Sequence, residues 1–456
     1  MIFQRIKSAG IAHNSYFIGS GSEAAVIDPR RDSQVYIDLA QQYGLKIKHI
    51  FETHRNEDYV IGSIELNSIT GAGIHHGPGL DWKYGQTLKD GQVFQIGGLK
   101  LKTIHTPGHT NESMSYALTD LTTGEATVMV FTGDALFVGD VGRTDLYSFK
   151  EAPRLAANLY DSIFDKLLPL GDGVILCPAH GGGSVCGINI ANRDESTLGI
   201  ERVQNPLLQM TRDAFIKYKV AEQPERPHYF RQMEKYNREG PPLLGCMPLP
   251  SPLTPTEFKE EMEKGAVVVD TSEPAAFGGA HIKGAYSIWL EGLPIFGGWV
   301  LAYDRTILLV LEDEGHLEKA VRYLIRAGYD RIDGYLKGGT EGWYNAGFPV
   351  ESLPLLSVHQ LKDKLDRGEE LAVLDTRGQN EWEAGHIKGA LHIYVGHLEK
   401  RLAEVPKDKP VAVICNVGHR AGLGASILLR AGYKDVYNVL GSVSAWVAAG
   451  YPVTKD

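Results

Sequence analysis

The sequence predicts an α/β protein in which a β-rich, layered first half is followed by two copies of a smaller domain built on a parallel sheet. Three observations carry that prediction. The chain has 456 residues, which at roughly 150 residues per domain means about three domains. A Pro-rich stretch from Gly240 to Pro255 (GPPLLGCMPLPSPLTP) interrupts the pattern near the middle, and prolines at that density resist both helix and central strand. Beyond it, a segment of about a hundred residues occurs twice. Val268 to Ala285 (VVDTSEPAAFGGAHIKGA) returns as Val373 to Ala390 (VLDTRGQNEWEAGHIKGA), Arg326-Ala-Gly-Tyr329 as Arg430-Ala-Gly-Tyr433, and Trp343 to Val350 (WYNAGFPV) as Trp446 to Val453 (WVAAGYPV). These boundaries predict domains at 1–240, 253–352 and 353–456 and a linker at 241–252.

In the first half, apolar runs at Ala24–Asp28, Ile50–Thr53, Leu99–Ile104 and Thr127–Phe131 read as strands divided by Gly-rich turns, with few helices. Each later copy opens on a Ser/Thr cap, Thr254 or Ser357, before an amphipathic stretch. A short apolar strand ending in Asp270 or Asp375 follows, then alternating strands and helices. Strands Thr306–Leu311 and Pro410–Ile414 belong to that rhythm, which implies a parallel sheet.

Composition narrows the function classes. Hydrophobic residues at 43% and charged residues at 22% describe a folded, water-soluble chain. A net charge of −10 would repel a phosphate backbone, so no nucleic-acid partner is expected. The four cysteines, Cys177, Cys186, Cys246 and Cys415, are too sparse for a disulfide framework, which points to a reducing compartment. The N-terminal residues have no apolar core with a cleavage site, and the longest apolar runs have strand length. The expectation is a cytoplasmic homo-oligomer with no membrane partner.

Four loops of the first half each present metal-ligand chemistry: His54-Arg-Asn56-Glu-Asp58-Tyr59 after a strand, Thr106-Pro-Gly-His109, Phe131-Thr-Gly-Asp134, and Cys177-Pro-Ala-His180. Their order and flanks, over about residues 1–235, resemble the metallo-β-lactamase superfamily, whose first loop reads His-x-His-x-Asp-His and holds two metals. Gly142-Arg143-Thr144-Asp145 resembles the persulfide dioxygenase branch more than the thioester hydrolases of the glyoxalase II type. The resemblance implies an αββα sandwich for this part. Asn56 and Tyr59 replace the second and fourth histidines of the first loop, and an amide and a phenol are poor donors to a dication. What survives is His54, His109 and Asp134, two imidazoles and a carboxylate, the triad of non-haem Fe(II) oxygenases. One Fe(II) per chain is therefore expected. Asp58 and His180 are assigned a supporting place around it, and Arg143 the anionic end of a glutathione-like thiol.

In the second repeat, a strand runs into Cys415-Asn416-Val417-Gly418-His419-Arg420 and then a helix. Loop amides, the positive helix end and Arg420 all favour thiolate over thiol. The loop resembles the Cys-x-x-x-x-Arg active loop of rhodaneses (sulfurtransferases), and the Asp375, His386 and Trp446 segments match that family. The resemblance makes Cys415 and Arg420 catalytic and gives Asn416, Val417, Gly418 and His419 to the bound sulfur substrate. The first repeat has no thiol there: either Leu311 or Glu312 takes the position, depending on one gap, beside an acidic run that would repel an anionic donor.

Together these readings predict an enzyme of hydrogen sulfide metabolism. Its iron domain would oxidise a low-molecular-weight thiol persulfide with O₂ to sulfite and thiol, and its rhodanese domain would transfer sulfur, with thiosulfate among the sulfur species handled. The alternatives are a metal-dependent thioester hydrolase of the glyoxalase II type and a non-catalytic sulfur carrier or sensor.

Overall fold

The computed structural model of the protein describes residues 1–222 and 224–455. The chain divides into two compact units, Met1–Met247 with Ile325–Gly328, and Pro248–Leu324 with Tyr329–Asp456.

In the first unit, a six-stranded sheet is ordered β1 (Ile2–Ser8), β2 (His13–Ser20), β3 (Glu23–Ile27), β4 (Lys46–Phe51), β5 (Gly73–His76) and β6 (Gln86–Thr87). A five-stranded sheet comprises β7 (Val93–Ile96), β8 (Leu99–His105), β9 (Met114–Asp120), β10 (Thr127–Gly133) and β11 (Ile175–Pro178) in sequential order. Alternation in β2 and β3 explains the layering, because side chains of a strand point to opposite faces in turn. Tyr16, Ile18, Ala25 and Ile27 meet Leu99, Leu101, Tyr116 and Phe131 of the second sheet in a shared core. Phe17, Ala24 and Val26 face the other way, onto Tyr36 and Ala40 of the helix Gln34–Tyr43 and Leu66 of the helix Ser63–Thr70. The far face of the second sheet, with Val130 and Leu176, is covered by Ala156 and Leu159 of the helix Ala152–Asp161 and by Phe215 of the helix Arg212–Ala221. The unit is thus an αββα sandwich.

The expectation of few helices in this half is corrected: Leu198–Gln204 and Phe230–Glu239 make six α-helices before the Pro-rich stretch, among the described residues. They are short, seven to ten residues each, so each offers only two or three turns of apolar pattern. Phe230–Glu239 buries only Phe230, Met233 and Asn237.

The second unit holds two five-stranded sheets. One is ordered β12 (Ser251–Leu253), β16 (Ile332–Leu336), β15 (Ile307–Val310), β13 (Val267–Asp270) and β14 (Tyr286–Ser287). The other is ordered β17 (Leu355–Leu356), β21 (Val436–Val439), β20 (Val411–Ile414), β18 (Ala372–Asp375) and β19 (Leu391–His392). All pairings are parallel, and the second order is the first displaced by five strands. Thr254 and Ser357 each close a capping box, with Glu257 and Gln360, which fixes where the first helix of each repeat starts. The predicted linker is shorter than 241–252, because Ser251–Leu253 is already strand; β12 is an edge strand, where Pro252 removes no ladder hydrogen bond that the sheet requires. Among the described residues no helix is long and apolar enough to cross a membrane.

Candidate metal centre and thiol loop

The segments that follow β4, β8, β10 and β11 bring His54, His109, Asp134 and His180 to one buried place. Asp134 Oδ2 lies 3.6 Å from His54 Nε2 and 3.5 Å from His109 Nε2, and the two imidazole rings stand edge to face at 5.0 Å. Among the described residues, none of these three atoms has a hydrogen-bond partner. Buried polar atoms are rarely left so, and two nitrogens with a carboxylate oxygen at these separations fit a divalent ion between them.

The surroundings fix which nitrogen faces that point. His109 Nδ1 donates to the Arg143 carbonyl at 2.9 Å. His54 Nδ1 donates to the Thr53 hydroxyl at 2.9 Å, and that hydroxyl donates to Asp28 Oδ2 at 2.7 Å. Both Nε2 lone pairs are therefore turned inward, the arrangement that a histidine ligand takes from its outer partner. Asp28 also accepts the Thr53 amide at 2.7 Å and holds a left-handed backbone, φ 48°. Such a conformation costs a non-glycine residue about 1 kcal/mol or more and persists where surrounding structure demands it.

Asp134 Oδ1 accepts from His180 Nδ1 at 2.8 Å, and His180 Nε2 is 3.2 Å from Asp58 Oδ2. Burial alone would push the Asp134 carboxyl up, but His180, His54 and His109 hold it well below the usual range. Burial lowers His180 and His109, yet Asp134 with Asp58 raises the first, and Glu57 with Asp134 raises the second. At His54 burial prevails and the imidazole is held neutral. The pocket therefore favours positive charge.

The two departures from the first-loop pattern are accounted for. The Tyr59 hydroxyl bonds His13 Nε2 at 2.8 Å, and Asn56 Nδ2 donates to the His54 carbonyl at 3.3 Å. Buried Asn237 pins this loop by donating to the carbonyls of Asn56 and Tyr59, each at 2.7 Å. Sequence reading missed Asn237, Asp28, Glu57 and Cys186. Glu57 Oε2 lies 3.6 Å from His109 Nε2, and the Cys186 thiol falls within ligand reach of His109 and Asp134 and of Asp58 and His180. Glu57 was visible as the acid between Asn56 and Asp58, whereas nothing in the Gly-rich segment after His180 marks Cys186. Cys177 belongs to the core between the sheets, and burial pushes its thiol to about 12.

Arg143, expected at the anionic end of a glutathione-like thiol, is engaged within the protein itself. Its Nε and Nη2 clasp Asp145 at 2.7 Å each, and the remaining donors go to the carbonyls of Val185, Glu225 and Pro224. A buried guanidinium with its five donors engaged has none to offer a substrate carboxylate. The segment instead fastens the centre: a side-chain carbon at Gly142 would collide with the Asp134 carbonyl and lie 3.0 Å from His109 Nδ1.

In the second unit, Cys415 follows β20 and is buried, its Sγ accepting the Gly418 amide at 3.0 Å. The next helix, His419–Arg430, begins at Gly418, whose φ of 114° suits glycine. The Cys415 amide donates to Ser442 Oγ at 3.1 Å, and Ser442 is left-handed at φ 45°, a partner that sequence reading missed. Arg420 makes two 2.6 Å bonds to Glu381, which, with the nearby thiol, raise its pKa further against burial. The four residues expected to bind substrate separate here. Gly418 touches the sulfur, Val417 is exposed, and Asn416 Oδ1 is tied to Ser444 at 2.7 Å. His419 turns away, to Glu273 at 2.9 Å and the Trp289 ring at 4.8 Å, so its imidazole is not at the thiol.

In the first repeat Leu311 follows β15 as Cys415 follows β20. A cavity of about 370 Å³ opens there, lined by Ser272, Leu311, Glu312, Glu314, Gly339 and Glu341 among others.

Comparison with known proteins accords with both halves. The family described as "Metallo-beta-lactamase superfamily" matches residues 9–180, and that described as "Rhodanese-like domain" matches 254–346 and 357–449. The mitochondrial persulfide dioxygenases of Bos taurus and Mus musculus are 31% and 30% identical over 216 and 218 residues, in each case 44% of this chain and 74% of the relative. A crystal structure described as a metallo-beta-lactamase from Staphylococcus aureus subsp. aureus COL superposes with a TM-score of 0.66 and 32% identity, over 74% of this chain and 98% of that one.

Proposed function

Because the chain belongs to the metallo-β-lactamase superfamily and carries two rhodanese-like domains behind that fold, we propose that it is a persulfide dioxygenase coupled to sulfur transfer at Cys415. The observation that carries the reading is the convergence of His54 Nε2, His109 Nε2 and Asp134 Oδ2, all buried and unpartnered among the described residues, while the Tyr59 hydroxyl is engaged by His13 and Asn56 has only a neutral amide oxygen left over. One iron held by these atoms would supply the one-electron chemistry that lets O₂ react with sulfane sulfur. The balanced reaction takes a thiol persulfide, O₂ and water to thiol, sulfite and two protons, with O₂ accepting four electrons. Within it, Thr53 and the Arg143 carbonyl hold the imidazoles in the correct tautomer, and His180 holds the Asp134 carboxylate in orientation. Burial of the site excludes bulk water. At Cys415 the thiolate would attack the outer sulfur of the thiol persulfide, breaking its S–S bond and expelling the carrier thiolate, and sulfite attack on the resulting Cys415 persulfide would release thiosulfate and restore the Cys415 thiolate.

Anaerobically purified protein is expected to carry one iron per chain. His109→Ala and Asp134→Ala should lower persulfide-dependent O₂ uptake on the order of 10³-fold or more, while thiosulfate:cyanide sulfur transfer stays within about twofold because that chemistry sits elsewhere in the chain. Two tightly bound zinc ions with thioester hydrolysis would instead make the protein a hydrolase.

A further inference from the structure

We infer that Glu57 is a fourth protein ligand of the metal, through Oε2, supplying the donor that Asn56 in place of histidine removes; this rests on His54, His109 and Asp134 holding the ion. Asn56 spends its amide nitrogen on the His54 carbonyl and its backbone carbonyl on Asn237, which leaves its Oδ1, buried and without a hydrogen-bond partner among the described residues, as a neutral oxygen and a weaker donor to a dication than a carboxylate. Glu57, the next residue, is fully buried, and its Oε2 is the carboxylate oxygen without a partner. That oxygen lies 3.6 Å from His109 Nε2, matching the 3.5 Å and 3.6 Å that separate Asp134 Oδ2 from the two imidazoles. Donors about 2.1 Å from a common ion stand roughly 3.0–3.4 Å apart in octahedral or tetrahedral arrangement, so these separations need only a slight contraction. The donor atoms of His54, Glu57 and His109 lie within 4.8 Å of one another.

The other end of the carboxylate explains its aim. Glu57 Oε1 faces the Arg55 guanidinium at 3.5 Å, and Arg55 is itself shared with Glu234 at 3.5 Å. With Oε1 on the arginine, Oε2 points to the imidazoles. An ionised oxygen buried there is costly unless a cation meets it. A second carboxylate brings the protein charge at the ion to −2, which balances a divalent ion and favours its trivalent form more than the three-ligand set would.

Cobalt(II) titration of the metal-free full-length protein tests this by a readout that needs no turnover. Glu57→Gln keeps the shape and removes the anionic donor; it should change the cobalt d–d spectrum and weaken binding beyond the roughly 10–100-fold typical of an outer partner, and raise the midpoint potential of the iron-loaded protein. Adding Asn56→His to Glu57→Gln should return affinity to within about tenfold of the parent, because an imidazole then replaces the lost donor. An unchanged circular dichroism spectrum and an unchanged denaturant midpoint of the metal-free protein report that each variant is folded. Parental spectrum and affinity in Glu57→Gln, with both lost in His109→Ala, would overturn the role of Glu57 alone. A thiolate-to-cobalt band that disappears in Cys186→Ser would overturn it too, since the fourth position would belong to that thiol. Unchanged cobalt binding in His109→Ala would remove the underlying assignment of the centre as well.

Discussion

The two rhodanese-like repeats have the same strand order yet differ at the side chains around one loop, and the difference separates what the fold needs from what the chemistry needs. In both, the strand before the loop is registered on an aspartate, Ile414 on Asp375 and Val310 on Asp270, which puts Leu311 in the place of Cys415. Around the thiol, Arg377 clasps Asp375 with bonds of 2.7–3.0 Å and the Ser442 hydroxyl holds the Cys415 amide. Around Leu311, Ser272 stands where Arg377 does, and Gly339 where Ser442 does. Asp270 is met by Ser272, whose amide it accepts at 3.0 Å, and among the described residues its Oδ2 has no hydrogen-bond partner. The loop is instead fastened by its own carboxylate, Glu314 Oε1 accepting the Gly338 amide at 2.9 Å. The first repeat thus differs from the second not only in the thiol but also in the groups around it, while the capping boxes and apolar strands that specify the sheet are present in both copies.

The comparison is broken most sharply by exchanging the thiol. Cys415→Ser should lower thiosulfate:cyanide transfer on the order of 10³-fold or more, because a neutral hydroxyl cannot hold sulfane sulfur. Leu311→Cys in that background should restore nothing measurable. The new thiol would lack the Ser442 contact, and Glu312 and Glu314 line the cavity through which an anionic donor would enter. Recovery of transfer by Leu311→Cys would mean that one atom, not a whole environment, distinguishes the repeats.

How far the sequence discloses this site depends on how local the determinant is. The repeat, the four strand-end motifs and the Cys415 loop are contiguous patterns, and His54, His109 and Asp134, grouped by the family resemblance of those motifs, lie together in the structure. Arg143 shows the opposite case: its partner Asp145 is two residues away, but only the closed loop shows that the carbonyls of Val185 and Glu225 take its remaining donors. Glu57 and Cys186 were hidden because a side chain's direction in an irregular loop follows from tertiary contacts and not from periodicity. The choice between Leu311 and Glu312 was hidden by a one-residue difference between the copies, which the strand register resolves.

A smaller effect is expected from the guanidinium beside the thiol. Arg420 sits in the first turn of the helix after Cys415 and is held by two 2.6 Å bonds to Glu381. Arg420→Ala should lower kcat/KM for thiosulfate roughly 10²-fold, since a charge that meets an anionic substrate is worth a few kcal/mol when desolvated. Glu381→Gln keeps the guanidinium but loosens it, and should cost only about tenfold. Equal losses in the two variants would show that the pair acts as a structural clamp. The first repeat has His316 at the corresponding helix start, so it offers no equivalent fixed charge.

The smallest expected effect is on stability, and it tests the silent repeat directly. Burial, reinforced by the charge of Glu312 and opposed by the Ser272 bonds, pushes the Asp270 carboxyl to about 6. A carboxyl raised on folding stabilises the native state below its unfolded value near 4, and that contribution disappears as pH rises through 6, because the ionised form is then buried without a cation. A shift of about two units corresponds to about 3 kcal/mol. Asp270→Asn keeps an acceptor for the Ser272 amide and carries no charge, but its amide nitrogen finds no acceptor at the Oδ2 position, which costs about 1 kcal/mol. The variant should therefore be more stable than the parent by about 2 kcal/mol at pH 8, and the advantage should vanish between pH 6 and 4. Denaturant unfolding at pH 8 and pH 4, followed by Trp fluorescence, measures both values. A pH-independent difference would mean that Asp270 is already neutral or otherwise paired, and the two repeats would then differ at the thiol and not at the aspartate beneath it.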